Sequence, residues 1–314
     1  MPLLRFLPEA TNINFIGARY YAFAVDGLLV LISIVSIAWH GFNLGIDFTG
    51  GVEMQVKAPH TISSTELGKI RGEVSGIGYN DQSIQNIGGG TCDAPSNSCV
   101  LIKVQPKAGQ DGNAAKVEIQ KKLGSGYNVL SFQVIGPKVS GELFRSGVYA
   151  TILAIIAIAI WVAVRFEWQY GLSAAFCTGH DVFVTAGLFS VLHMDFTLTS
   201  IAALLTLAGY SINDTVVVFD RIRENRRKYK RMSLGDLINL STNQMLTRTI
   251  LTSAATAITI IPLLIFVPAL YDFTLAILFG IIVGTYSSTY VAAALMLYLP
   301  APAGAIDTPA PAAP

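Results

Sequence analysis

Six long apolar stretches constrain this chain more than any other feature of its sequence. They cover residues 20–39, 144–164, 171–191, 198–219, 244–266 and 273–299. A helix needs about 20 mostly apolar residues to cross the hydrocarbon of a bilayer. Of the 314 residues, 52% are hydrophobic and only 13% are charged, whereas soluble domains carry about 25% charged residues. The sequence therefore predicts a polytopic α-helical membrane protein with six transmembrane helices.

Composition and motifs exclude several functional classes. The 21 basic residues are balanced by 20 acidic ones, which argues against a broadly basic nucleic-acid-binding protein. The sequence contains no P-loop, GxGxxG or HExxH motif, so nothing in it supports nucleotide hydrolysis, dinucleotide binding or zinc proteolysis. We expect no enzyme activity, no metal and no cofactor other than protons as a coupling ion.

Lysine and arginine are concentrated on one side of the predicted membrane. They include Arg5, Arg19, Arg165 and a run at 221–231, while the short loops at 193–196 and 268–272 have none. The positive-inside rule makes the basic side cytoplasmic, with both termini there. The predicted layout is a cytoplasmic segment 1–19, helix one at 20–42, a periplasmic domain 43–142, helices two to six within 143–300, and a disordered cytoplasmic tail 301–314.

The long segment between the first two spans has globular periodicities. Strands are predicted at 51–58, 82–87, 100–104 and 127–135, and helices at 61–74 and 112–123. This order is the ferredoxin-like split β-α-β pattern of an α+β domain. Ser63 or Ser64 is expected to cap the first helix. The expected helical core positions are Leu67, Ile70, Val74, Val117, Ile119 and Leu123.

Two of the three cysteines, Cys92 and Cys99, lie between the predicted middle strands. On the oxidising side of a membrane they are expected to form a structural disulfide. A redox-active pair is the alternative, but the spacing is not CxxC. Cys177 lies within a span and is expected to be a packing residue.

Four ionisable residues fall within or near the spans: Asp26, Asp181, Asp214 and Arg248. Such a group costs about 2.5–3.5 kcal/mol at the bilayer centre, so it needs a partner and usually has a function. Asp214 and Arg248 lie at similar depths, roughly 10 Å and 6–9 Å from the basic edge at 1.5 Å per residue. Pairing of the two is one prediction, with Asp214 alternating between a proton and Arg248. The alternative is a static ion pair that only orients helices.

Polar residues are predicted to form a path beside these charges. In span four Thr206, Tyr210 and Asn213 follow a helical stripe, and span five carries a hydroxyl face that includes Ser253, Thr256 and Thr259. Such hydroxyls can also bond back to their own helix. The residues assigned to the path are Asn213, Ser211, Tyr210, Thr249, Thr252 and His180.

Three further features of the spans lead to separate expectations. Asp181 is either a second proton carrier or a buried hydrogen-bond partner. Asp26 lies near the cytoplasmic end of its span and is expected to reach water. Gly280, Gly284 and Ser288 recur at every fourth residue and predict a small-residue face for close helix packing.

Several motifs in register resemble the SecF family, subunits of the bacterial SecDF protein-translocation complex. They are GIDFTGG at 45–51, IGPKVSGEL at 135–143, GHD at 179–181, GYSINDTVVVFDRIREN at 209–225 and FGIIVGTYSS at 279–288. The order and spacing agree over almost the whole chain. A short glycine motif would be weak by itself, whereas several long motifs in register are specific.

The resemblance implies a function that composition does not supply. SecF and SecD form a relative of the RND transporters and use the proton-motive force to assist export through SecYEG. The implied partners are SecD, SecYEG, YajC and unfolded preprotein cargo, in the bacterial cytoplasmic membrane. By position, Asp214 and Arg248 match the family's residues implicated in proton passage. The cysteine loop and Asp26 are departures for which the family pattern gives no role.

Three other interpretations remain open at this stage. An RND-type exporter of small hydrophobic molecules or lipids shares charged central spans but needs a larger external region. An intramembrane aspartyl protease would use Asp181 and Asp214 as a dyad, although its GxGD motif is missing. A scaffold for SecD would use the charges only to lock subunits together.

Overall fold

The computed structural model describes residues 11–79, 82–87, 92, 98–107, 110–124, 126–267 and 270–300. The predicted tail at 301–314 and residues 1–10 of the predicted N-terminal segment lie outside the described residues.

The helices fall into a membrane set and a smaller set between the first two spans. In chain order they are α1 (Arg19–His40), α2 (Ile46–Thr49), α3 (Ser64–Gly76), α4 (Gly112–Leu123), α5 (Pro137–Arg165), α6 (Trp168–Val191), α7 (Leu198–Lys228), α8 (Leu234–Phe266), α9 (Tyr271–Ser287) and α10 (Ala293–Leu295). A π-helical turn at Ser288–Ala292 joins the last two. Within the described residues six helices are long and apolar enough to cross a membrane: α1, α5, α6, α7, α8, and α9 with α10. The predicted helical membrane protein is confirmed.

The six membrane helices form an inner and an outer group. About half or more of the apolar window is buried in α6, α7 and α9, whereas α1, α5 and α8 expose most of theirs. Exposed apolar helix faces are normal where lipid or another membrane subunit covers them. The inner group is therefore where polar side chains can be kept away from lipid.

Several membrane helices are longer than their hydrophobic stretches. α7 continues past residue 219 to Lys228, and α8 begins at Leu234 rather than at 244. Side chains stabilise these extensions, since Ser233 Oγ accepts a hydrogen bond from the Asp236 amide and caps α8. The side-chain amide of Asn225 on α7 donates hydrogen bonds to Ser241 and Gln244 on α8 at 2.9 and 2.8 Å. Hydropathy marks the part of a helix that lies in hydrocarbon, and it does not mark where the helix ends.

The segment between α1 and α5 contains a four-stranded antiparallel sheet with two helices. Its strands are β2 (Gly51–Lys57), β3 (Gln82–Ile87), β4 (Cys99–Val104) and β5 (Asn128–Ile135), in the spatial order β3-β4-β2-β5. In register, Met54 of β2 faces Ile102 of β4 on one side and Phe132 of β5 on the other. This is the split β-α-β arrangement that the periodicities predict. We call this unit the α+β domain.

Alternate strand residues build the core of the α+β domain. Val52, Met54 and Val56 of β2 and the matching positions of β4 pack against Ile70 of α3 and Ile119 of α4. Leu67 lies at the edge of this core, and Val74 and Leu123 lie within it.

The structure corrects one predicted core position in α4 and shows which serine caps α3. Val117 was expected in the core and is 64% exposed. It lies two residues from Ile119, which turns it to the opposite side of a helix. Ser63, rather than Ser64, caps α3, because its hydroxyl accepts a hydrogen bond from the Glu66 amide at 3.2 Å.

The glycines of the GIDFTGG segment make the turn from the membrane into the sheet. Gly50 ends the short helix α2 with a φ of 74°, and Gly51 begins β2 with a φ of 138°. Side-chain-bearing residues rarely adopt either value. The carbonyl oxygen of Val104 also occupies the space that a Cβ on Gly51 would need. The double glycine is therefore required by backbone geometry.

A short parallel ribbon joins the two parts of the molecule. Strand β1 (Asn43–Leu44), directly after α1, pairs with β6 (Asp195–Phe196), between α6 and α7. Because β5 also leads directly into α5, the α+β domain is attached at the ends of four membrane helices, on the side of the molecule opposite the basic run.

The structure joins Cys92 and Cys99 in a disulfide, and Cys177 is free and buried. Denatured, unreduced protein from intact cells should therefore take up one thiol label, and reduction should raise this to three. Mass spectrometry of the labelled chain measures the count. A Cys177→Ala control should take up no label before reduction. Three labels without reduction would contradict the pairing.

Close packing of α9 on α7 makes a second prediction. Leu207 side-chain atoms fill the space beside Gly280, whereas nothing lies within 4 Å of the Cβ position of Gly209. Gly280→Leu should overpack this contact and destabilise the chain by about 1–3 kcal/mol. Gly209→Leu is the matched control and should cost much less. Thermal unfolding of the detergent-solubilised chain measures both, and equal losses would argue against the packing.

Candidate functional site

Asp214 is buried in α7 and has only weak hydrogen-bond donors. Only 4% of the residue's surface is exposed. The hydroxyls of Thr252 and Ser253, both on α8, lie 3.4 and 3.5 Å from its two carboxylate oxygens. These distances are long for O–H···O hydrogen bonds, which are strongest at 2.7–2.8 Å. The Asp214 carboxylate is therefore only weakly satisfied, and a proton or a cation would be a stronger partner.

Arg248 lies near Asp214 but is not bonded to it. Among ion pairs within 4.0 Å in the described part of the chain, none joins these two residues. Arg248 is exposed and lines a cavity of about 530 Å³ together with Val217, Asp220 and Glu224. It precedes Thr252 by one helical turn, which places its backbone towards the basic end of α8. The expected direct ion pair between Asp214 and Arg248 is therefore not formed in this conformation.

The cavity that Arg248 lines comes close to Asp214 along α7. Val217 lies on its wall, about one turn from Asp214 along α7. The cavity is at the basic end of the bundle, where Arg165 and Arg221 also line it. It extends from that end to Val217, three residues along α7 from the buried carboxylate.

The predicted polar path is only partly assembled. Tyr210 donates a hydrogen bond to Ser253 at 3.2 Å, and Ser253 also contacts Thr285 of α9 at 2.7 Å. Thr249 is buried one turn from Ser253. Thr252 and Ser253 therefore connect Asp214 to a short hydroxyl cluster between α7, α8 and α9.

Other residues of the predicted path lie elsewhere. Asn213 and Thr206 are exposed, so these two side chains face outwards, although Tyr210 of the same stripe contacts Ser253 of α8. Thr256 and Thr259 donate to carbonyl groups of their own helix. The expectation that all these side chains border Asp214 is wrong, because neighbouring positions on a helix point about 100° apart.

Asp181 occupies the centre of the inner group of helices. It is fully buried, and its Oδ2 accepts hydrogen bonds from Ser211 of α7 at 2.5 Å and Ser287 of α9 at 2.9 Å. Nδ1 of His180 lies 3.1 Å from its Oδ1. Asp181 thus ties α6, α7 and α9 together, with partners different from those of Asp214.

The small-residue face of α9 makes this arrangement possible. Gly280, Gly284 and Ser288 are on the buried side of the helix. A Cβ on Gly284 would lie 3.3 Å from Ser211 and 3.5 Å from Asp181 Oδ2. Small residues therefore let α9 approach the hydrogen-bonded carboxylate.

Asp26 does not reach water, contrary to our expectation. It is 6% exposed, and its Oδ1 lies 3.8 Å from Nε2 of His180. Its depth along α1 suggested a route to the surface, but its face of the helix packs on α6 and turns the carboxylate inwards. No pattern of a single sequence could have paired Asp26 with His180.

Sequence reasoning also missed the polar contacts between the α+β domain and the membrane helices. Lys103 of β4 forms an ion pair with Asp195 of β6 and lies 3.8 Å from Glu53 of β2. Partial burial raises the pKa of the Glu53 carboxyl, and the Lys103 charge opposes that rise. Asp195 also accepts a hydrogen bond from Asn43 at 2.6 Å.

A second contact of this kind involves the glycine motif. Asp47 accepts a hydrogen bond from the Leu198 amide at 2.9 Å, at the first residue of α7. A carboxylate at a helix N-terminus is favourable because free amides and the helix dipole meet it there. The start of the Asp214 helix is thus held by the segment that leads into the α+β domain.

Two family models match most of the chain. The model described as "Protein export membrane protein SecD/SecF, C-terminal" matches residues 115–301. The model described as "SecD/SecF GG Motif" matches residues 35–58, which include the two glycines at the start of β2.

Curated relatives match over nearly their whole length. The protein translocase subunit SecF of Cereibacter sphaeroides is 39% identical over 301 residues, covering 94% of this chain and 92% of the relative. That of Rhodobacter capsulatus is 36% identical over 94% and 91%, and that of Pseudomonas aeruginosa is 37% identical over 92% of each chain.

Solved structures show the same arrangement of helices and α+β domain. A crystal structure of SecDF, a translocon-associated membrane protein from Thermus thermophilus, superposes with a TM-score of 0.82 at 34% identity. The match covers 93% of this chain and 39% of the SecDF chain, so this chain spans less than half of that protein. SecDF in a super-membrane-facing form gives a TM-score of 0.66 at 35% identity. From these matches, the chain belongs to the SecF family of protein translocase subunits.

Proposed function

We propose that this chain acts with SecD to assist export of unfolded preproteins through SecYEG, using the proton-motive force. It resides in the bacterial cytoplasmic membrane with both termini in the cytoplasm and the α+β domain in the periplasm. YajC is a further partner, protons are the coupling ion, and the chain performs no chemical reaction of its own.

The observation that carries this proposal is the environment of Asp214. A buried carboxylate with two long hydrogen bonds lies one turn from a cavity that reaches the basic end, and an arginine lines that cavity. Intramembrane ionisable groups in a helical bundle usually mark ion pathways. The arrangement supports a carboxylate that exchanges a proton for an arginine.

Two states follow from this geometry. In one, a proton neutralises Asp214, and Arg248 faces the water of the cavity. In the other, the proton has left and Arg248 turns towards the Asp214 carboxylate, drawing α8 towards α7. Both hydroxyls at the Asp214 carboxylate come from α8, and one of them, that of Ser253, also contacts Thr285 of α9. The exchange would therefore change how three helices pack.

The energy released by one proton is enough to shift a conformational equilibrium, but it is not enough to drive a large mechanical step. One elementary charge that crosses about 100 mV releases about 2.3 kcal/mol. This changes a two-state equilibrium about fifty-fold, since about 1.4 kcal/mol is a factor of ten. One proton per cycle can hold cargo against backsliding, but it cannot unfold a stable protein.

The α+β domain is connected to the helices that would move. Asp47 holds the first residue of α7, and Lys103 holds Asp195 in the link between α6 and α7. A shift of α7 is therefore transmitted to the base of the α+β domain. In the periplasm, this domain would change position relative to emerging cargo.

Replacing Asp214 tests the proton coupling. Asp214→Asn keeps the size of the side chain but cannot alternate between neutral and charged forms. We expect it to abolish stimulation of preprotein export by the proton-motive force in inverted vesicles containing SecD and SecYEG.

The matched control is Asp236→Asn, the same exchange at an exposed residue at the start of α8. It should leave export unchanged, and both variants should be inserted at normal levels. Export by Asp214→Asn that still responds fully to the proton-motive force would refute the coupling.

Removing the link between the two parts tests the transmission. Lys103→Met leaves Asp195 without its lysine partner, so export should lose much of its response to the proton-motive force while Asp214 is intact. Lys122→Met, at an exposed position of α4, is the control. An unchanged response in Lys103→Met would show that this ion pair does not transmit the movement.

A further inference from the structure

We infer that Asp26, His180 and Asp181 form a second proton-binding site between α1 and α6, separate from Asp214. The inference deepens the proposed function and rests on it for its role in export. The site itself stands on the geometry of the three side chains.

The three groups form a continuous row inside the bundle. His180 lies between two carboxylates, with Nδ1 3.1 Å from Asp181 Oδ1 and Nε2 3.8 Å from Asp26 Oδ1. The exposed fractions are 6% for Asp26, 9% for His180 and 0% for Asp181. An imidazole with a carboxylate at each nitrogen can hold a proton on either side.

The two ends of this row differ in their hydrogen bonding. Asp181 accepts from Ser211 and Ser287 and is well satisfied. Asp26 has no hydrogen-bond partner for either carboxylate oxygen among the described residues, and Nε2 of His180 has none either. Buried polar groups are normally paired, since an unpaired one costs free energy. The gap between Asp26 and Nε2 is thus where a proton would close a hydrogen bond.

Basic side chains do not neutralise this site. Over the ranges that the structure describes, the only ion-pair partner within 4.0 Å of Asp26 or Asp181 is His180. The other titratable groups facing it are Cys177 on α6 and Tyr286 on α9. The Tyr286 hydroxyl donates to the Ala22 carbonyl at 3.2 Å, so it packs beside α1 without supplying a positive charge. Two carboxylates without a fixed cation need protons to be stable in hydrocarbon.

The proton step is a transfer along this row. With both imidazole nitrogens protonated, His180 faces two carboxylates. Moving the Nε2 proton to an Asp26 oxygen breaks one N–H bond and forms one O–H bond. It leaves neutral imidazole, neutral Asp26 and the Asp181 carboxylate still bonded to Nδ1–H. The charge of the row is unchanged, but the attraction between α1 and α6 falls.

This attraction matters because α1 has few other polar ties to the bundle. Towards the α+β domain, Ser36 contacts Ser190 of α6 at 2.9 Å, and Ser190 donates to the Gly41 carbonyl at 2.7 Å. Beyond Gly41 the chain enters β1 and the α+β domain. Transfer of the proton from His180 to Asp26 therefore changes how firmly α1, which leads into that domain, is held against α6.

Infrared difference spectroscopy tests the site directly. The full chain with SecD in vesicles is measured while the pH is changed, and the carbonyl-stretch bands of protonated carboxyl groups are followed. We expect one pH-dependent band that Asp26→Asn removes and Asp214→Asn leaves in place. Asp236→Asn is the control and should keep every band. Asp26→Leu serves if the amide variant does not accumulate, because it removes oxygens that have no partner.

Each outcome has a defined meaning. Loss of the band in either Asp26 variant, with its retention in Asp214→Asn, supports the site. A spectrum unchanged by both Asp26 variants overturns it. A band that responds to sodium at constant pH also overturns it, in favour of a metal-cation site. If the Asp26 band is present but Asp214→Asn exports normally, the second site stands and the proposed coupling through Asp214 fails.

Discussion

The cost of placing ionisable side chains in hydrocarbon governs how this bundle is built. Each buried carboxylate lies beside polar groups of other helices. Asp214 contacts hydroxyls of α8, and Asp181 contacts hydroxyls of α7 and α9. Asp26 lies beside the His180 imidazole of α6. These contacts differ in completeness. Asp181 accepts hydrogen bonds of 2.5 and 2.9 Å, Asp214 accepts only two long ones, and neither oxygen of Asp26 has a hydrogen-bond partner among the described residues. A satisfied group holds helices in place, and an unsatisfied one can accept a proton. The bundle thus combines a fixed centre, at Asp181, with two adjustable sides, at Asp214 and at Asp26.

The two adjustable sides lie on two helices whose far ends connect to the α+β domain. Asp26 is on α1, which continues into β1, and Asp214 is on α7, whose first residue is held by Asp47. Asp195, between α6 and α7, is bonded to Lys103 of the sheet. The movement of either helix would therefore reach the same base of the domain. Such a design lets small changes in helix packing become a larger displacement further from the membrane.

The sequence predicted elements better than it predicted partners. Hydropathy gave six membrane helices, and alternating patterns gave the order of strands and helices in the α+β domain, because these depend on local periodicity. Val117 was misplaced since its helix carries few apolar residues to define a face. Asp26 and Asn213 were misplaced because depth along a helix does not show which face meets a neighbour. The Lys103–Asp195 pair joins residues far apart in the chain, and only the assembled fold brings them together.

The central claim is that protonation of buried carboxylates moves the α+β domain relative to the membrane helices. Spin labels at Gln85 on β3 and at Lys230 beyond α7, both exposed positions, would report this movement in sealed vesicles that also contain SecD. Pulsed electron–electron double resonance gives the distance between them with and without a proton gradient. The account predicts a shift in the distance distribution that Asp214→Asn abolishes. An identical distribution with and without the gradient would contradict it.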